Sequence, residues 1–126
     1  MSYLEPLPEG CPPEEAEEIV EPVEVFRLVR QNPPTLAEFR SQRAEKPDKV
    51  FKDVPECQAR GLSVFTNRRD AAEKALRLPR FRGFFICRVA LQPGAGRIQQ
   101  TFQPSHHTWW PLASFDILVH SGVETA

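Results

Sequence analysis

The chain has 126 residues and a formal net charge of −1, but its charges are unevenly placed. Eight acidic side chains precede residue 25 with no Lys or Arg among them, which leaves 16 basic against 9 acidic residues in the other 102. One domain fits this length, and a body of about 100 residues can bury roughly 60 to 70% of its unfolded surface without a metal or disulfide scaffold. No apolar run approaches the roughly 20 residues of a membrane helix, and glutamates stand where a signal peptide has a basic region, which argues against insertion and ordinary secretion. Cysteines at 11, 57 and 87 are odd in number and lack ligand spacing, so reduced thiols and a cytoplasmic location are expected.

Residues 1–22 read as an acidic, proline-rich, flexible leader, because Pro6, Pro8, Pro12 and Pro13 remove backbone donors and favour extended conformations. Glu14 to Val20, opened by Pro13, is its one helical candidate. The compact domain is predicted over 23–121, with a tail at 122–126. Val23, Val25, Arg27 and Val29 alternate with Glu24, Phe26, Leu28 and Arg30, which marks a strand with two apolar-rich faces. After Asn32-Pro33-Pro34, the capping-box spacing of Thr35 and Glu38 predicts a helix through Ala44. A second short helix follows Asp53-Val54-Pro55-Glu56 and ends before Gly61, which suits a left-handed C-cap.

Leu62 to Thr66 reads as a strand, and Arg68 to Leu78 as a helix capped by Asn67 and stopped by Pro79. The strongest strand is Phe84 to Leu91, with Phe85, Cys87, Val89 and Leu91 on one face. Pro93-Gly94-Ala95-Gly96 supplies a turn into a returning strand at Arg97 to Phe102. Gln103 to Pro111 reads as a loop, and Phe115 to His120 as the last strand. This order predicts an α+β fold with small mixed or antiparallel sheets and two to three helices.

The segment Q-P-S-H-H-T-W-W-P at 103–111 gathers two of the three histidines and both tryptophans. Histidine exchanges protons near neutrality, and tryptophan offers a flat face to a base or nicotinamide ring. Neighbours in an extended segment point to opposite sides, so His106 and His107 serve different surroundings, and His107 is the one placed inward. The scattered Cys and His residues do not predict a metal site. Arg68, Arg69, Lys74 and Arg77 follow helical spacing and continue into Arg80 and Arg82, so a basic surface is expected. Either it is a solvated helix face or it meets the phosphates of a nucleic acid or an acidic protein partner, with the acidic leader modulating the contact.

Val25-Phe26-Arg27-Leu28-Val29, Gly61-Leu62-Ser63-Val64-Phe65-Thr66, the Ala71-bearing helix and the Phe85 to Leu91 strand together resemble an ADP-ribosyltransferase-like core. The combination of Asn32-Pro33-Pro34-Thr35, Gly61 to Phe65 and His106-His107-Thr108-Trp109 is also similar to small bacterial proteins without an established function. The superfamily resemblance implies NAD or a related nucleotide as ligand, in a toxin, modifier or NAD glycohydrolase. It places Arg27 on the phosphate or ribose and Ser63 or Thr66 at the nicotinamide end; Trp109 is the candidate flat face for that ring, and His107 stands beside the ribose as the catalytic group in place of part of the family's constellation. The family's late glutamate has no counterpart in a recognisable motif, since only Asp116 and Glu124 remain near the end. A non-enzymatic interaction module using the basic body is the competing expectation.

Overall fold

A computed structural model describes residues 2–102 and 104–124 of the protein. Its described residues form an α+β fold with one open antiparallel sheet of seven strands and three α-helices. The strands are β1 (Glu17–Glu18), β2 (Val23–Val29), β3 (Leu62–Phe65), β4 (Phe85–Leu91), β5 (Gly96–Gln100), β6 (His106–Pro111) and β7 (Ser121–Val123). They lie in the order β1-β5-β6-β3-β2-β4-β7. The helices are α1 (Gln42–Glu45), α2 (Glu56–Ala59) and α3 (Arg68–Arg77).

The alternation in β2 and β4 builds two apolar faces because this part of the sheet is covered on both sides. Val25 pairs with Val89 and Arg27 with Cys87, so Val25, Val29, Cys87, Val89 and Leu91 join Leu62, Val64 and Trp109 in the main core. On the other face Phe26, Phe65 and Ala71 form a smaller cluster with Leu28 and Ile86, and Ala71 brings α3 onto the sheet. Asn67 caps α3 by accepting from Arg69 N at 2.8 Å, and the helix ends at Leu78, before Pro79.

Several expectations are corrected. The helix drawn from Thr35 to Ala44 is divided into a 3₁₀ turn at Leu36–Glu38 and α1, which is capped by Ser41. Arg27 claims the carbonyls of Glu38 and Arg40, acceptors that a continuous helix would use itself. Glu38 leaves the capping box and accepts from Arg30 N at 2.6 Å. The 103–111 loop is instead strand β6 from His106 onward, filled by Thr and Trp that suit a covered sheet. Phe115 to His120 does not form a strand; Leu118–His120 is a 3₁₀ turn, and the sheet continues at β7 into the expected tail. Gly61 does not take the left-handed conformation expected of it and is required by space instead, since a Cβ there would run into Thr108 Cγ2.

The leader lies along the body. Glu17–Glu18 pairs with β5 where a helix was expected, and Ala16 and Ile19 are buried. Leu4 N donates to Pro111 O at 2.8 Å, and the Glu5 carboxylate accepts from Ser41 N at 2.8 Å and Ser41 Oγ at 2.6 Å. Cys11 and Cys57 form a disulfide across a separation of 46 residues. The expectation of reduced thiols therefore fails for this pair, and with it the ground for placing the protein in the cytoplasm; Cys87 is a buried free thiol. Among the described residues no helix is long and apolar enough to cross a membrane.

Candidate functional site

Strands β6 and β3 bring Ser63, His106 and Thr108 together, while Arg27 of β2 lies with Val25, Val29 and Cys87 on the main-core face, the other side of the sheet. In the β3–β6 register Ser63 faces Thr108, Val64 faces His107 and Phe65 faces His106. Period-two alternation therefore puts Ser63, Phe65, His106 and Thr108 on the α3 side of the sheet and His107 on the opposite side. Ser63 Oγ lies 2.5 Å from His106 Nε2, His106 Nδ1 lies 2.8 Å from Thr101 Oγ1, and Thr101 Oγ1 lies 3.2 Å from Thr108 Oγ1. The result is one hydrogen-bonded chain of side chains from β3 and β6 and from Thr101, just past the end of β5.

His106 is 7% exposed, with its ring edge-on to Phe65 at 5.3 Å and tilted against Phe102 at 5.3 Å. Burial pushes the imidazole down to about 4, with further lowering by the charges of Lys74 and His107. It is thus neutral at neutral pH, with one N–H and one lone pair. When Nδ1–H donates to Thr101, Nε2 accepts from the Ser63 hydroxyl, the arrangement of a hydroxyl, its base and a third group that orients the base.

Arg27 meets Ser63 through the main chain. Its Nε donates to Glu38 O at 2.9 Å, Nη1 to Ser63 O at 2.8 Å and Nη2 to Arg40 O at 3.2 Å. Burial lowers this guanidinium to about 10, against the raising effect of Glu38, and it stays charged at neutral pH. Arg27 therefore stitches β2 to β3 beside their register pair Phe26 and Phe65.

The other expected site residues are placed elsewhere. His107 Nδ1 lies 3.0 Å from Ser105 O, and its ring lines a shallow depression of about 320 Å³ with Glu15, Glu17 and Gln100, which includes neither Arg27 nor Ser63. Thr66 is exposed, and its hydroxyl donates to Ser105 O at 3.4 Å. Trp109 is fully buried, donates from Nε1 to Ala95 O at 3.0 Å and packs edge-on to Phe115, so it has no face left for a ligand. Trp110 is likewise buried, donating to Cys57 O at 2.9 Å. Asp116 closes the turn before β7, accepting from Val119 N at 3.4 Å, and Glu124 lies 3.7 Å from Arg88 at the far edge.

Sequence reasoning passed over His106, Thr101 and the special position of Lys74. The signal for His106 was the period of two itself: it shares a face with Thr108, and both face β3 once Phe65 is set against His106; Thr101, just past β5, joins them only through its bonds to His106. Lys74 is half-buried, with Nζ 5.4 Å from the centroid of Phe65 and 5.6 Å from that of Phe81. Burial lowers its pKa, followed by the charges of Arg80, Arg77 and Arg27. No family model, curated protein or solved structure matches the chain.

Proposed function

We propose that the chain is an ADP-ribosyltransferase-like domain that binds NAD or a related nucleotide, with its reactive centre at Ser63 and His106. The observation that carries this reading is that Ser63 is fastened at both ends: its carbonyl accepts from Arg27, and its hydroxyl is bonded to His106. The resemblance asks for an arginine on an early strand and a serine on a later one; β2 and β3 are neighbours in the sheet, and Arg27 holds Ser63 through the main chain from the core face, opposite the Ser63 hydroxyl. His106 takes the place first given to His107, because strand alternation directs its imidazole to Ser63.

Phe102 takes the place first given to Trp109. Its ring is 72% exposed beside His106, and its backbone holds a φ of 46°, a left-handed conformation uncommon for a bulky residue. That ring presents a flat face for a nicotinamide or base. In NAD cleavage the bond from ribose to nicotinamide breaks as a water or acceptor hydroxyl adds to the same ribose carbon, and neutral His106 receives the hydroxyl's proton. Asp116 and Glu124 are engaged away from this centre, so the imidazole and the hydroxyl of Ser63 are the groups this chain offers to that step.

The test is NAD binding by calorimetry and nicotinamide release by chromatography, on wild type, Ser63→Ala and His106→Gln. Binding by the wild type with loss of release in both variants supports the proposal. Absence of NAD binding by folded wild type at millimolar ligand contradicts it. A second reading, a module that binds an acidic protein or nucleic acid, is favoured by the run from Arg68 to Arg82, where none of the basic groups takes part in an ion pair among the described residues. Its signature is salt-sensitive binding to a polyanion without nucleotide binding.

A further inference from the structure

We infer that Lys74, rather than Arg27, is the anchor for the pyrophosphate of a nucleotide held beside Ser63 and His106. This rests on the nucleotide-binding reading above and names the part of the ligand that the basic face would hold. Arg27 already donates to three main-chain carbonyls, and replacing any of them with phosphate would unfasten Glu38, Ser63 or Arg40. Lys74 has the opposite surroundings. Its ammonium is half-buried, and among the described residues it makes no ion pair or side-chain hydrogen bond.

The geometry around Phe81 shows what is missing. Lys74 Nζ lies 5.6 Å from the centroid of that ring and Arg80 Cζ lies 5.0 Å from it, so two cations share one phenyl with no ion pair to either among the described residues. Arg77 adds to the same field, since it too depresses Lys74. Asp70, one turn before Lys74, is engaged by the hydroxyl of Ser105. An anion between Lys74 and Arg80 would relieve their repulsion and accept charge-assisted hydrogen bonds, and lysine serves phosphate well as a compact point charge.

Position decides which anion. Phe65 is shared, with Lys74 Nζ 5.4 Å from its centroid and the His106 ring 5.3 Å from it edge-on. Lys74 Nζ and the His106 ring therefore lie no further apart than the sum of those two distances. A phosphate on Lys74 and its adjoining ribose fit within that span, so the ligand class is a nucleoside diphosphate or a dinucleotide.

The experiment is calorimetry of inorganic pyrophosphate, ADP and adenosine on the full chain, comparing wild type with Lys74→Gln, Lys74→Met and the distant control Lys52→Gln. Wild type and Lys52→Gln should bind ADP and pyrophosphate alike, and both Lys74 variants should bind them about ten- to hundred-fold more weakly. Adenosine should not distinguish wild type from the Lys74 variants. Lys74→Met keeps the apolar stem between the rings, so a folding defect confined to the glutamine variant does not blur the result. Equal ADP affinity in a folded Lys74 variant, or no pyrophosphate or ADP binding by wild type, overturns the inference. ADP binding that depends on Lys74 without NAD cleavage supports this subsite and removes the transfer chemistry. NAD cleavage that Lys74→Met leaves unchanged removes the subsite and leaves the chemistry standing.

Discussion

On the α3 side of the sheet, Ser63, Thr101, His106 and Thr108 form a bonded chain next to Phe65, and the imidazole is held neutral by burial. On the opposite side, one residue along, His107 faces a shallow depression bordered by Glu15 and Glu17 of the leader. Two identical side chains thus acquire different chemistry from the strand's period of two and from what covers each face. The leader fastens the fold on both faces, with Ile19 in the main core and Cys11 joined to Cys57, whose carbonyl accepts from Trp110 on the His106 face; α3 covers the His106 face, where Lys74 and Arg80 make no ion pair among the described residues. Candidate chemistry is concentrated on the α3 side.

The comparison can be broken most strongly at the leader. Replacing Cys11 and Cys57 by Ser should lower stability by up to about 4 kcal/mol, because the bond closes a loop of 46 residues, and urea unfolding with and without reductant measures it. Nucleotide binding should survive in the fraction that stays folded. Next in size is Arg27→Met, which leaves three carbonyls without their donor and should cost about 3 kcal/mol in the same assay. A loss of nucleotide affinity with unchanged stability in that variant would return Arg27 to the ligand.

His106 sharpens the contrast by pH. Its folded value of about 4 lies below the ordinary 6.5, so the unfolded chain takes up a proton before the folded one does. The stability held by the neutral ring is complete above 6.5 and is lost as pH falls from 6.5 through 4. Thermal melts of wild type against His106→Gln should show a steeper decline for wild type within that window. His107→Ala should be the smallest change, within about 0.5 kcal/mol and without effect on nicotinamide release.

The strands at β2, β3, β4 and β5 were legible because apolar alternation and turn residues are local signals. β6 was hidden by its polar opening, His-His-Thr after Ser105, which suits a loop until its partners on β3 are known. The leader was misread for a related reason: Ala16, Ile19 and Cys11 are too sparse to signal burial, and what fixes them is contact with residues far along the chain. Arg27 and Ser63 were visible as residues of interest. Their joint use was not, since it runs through a carbonyl that no side-chain pattern records. Lys74 was seen in a basic run, but its position over Phe65 and Phe81 depends on how α3 and the Pro79–Phe81 turn meet the sheet.

The most direct test of the central claim is to follow the imidazole nitrogens of the protein by nuclear magnetic resonance while NAD is added. A saturable shift of the His106 Nε2 resonance is expected, with Nδ1 still bonded to Thr101 and the His107 resonances nearly still. An unmoved His106 in the presence of bound NAD, or a saturable shift at His107 alone, would contradict it.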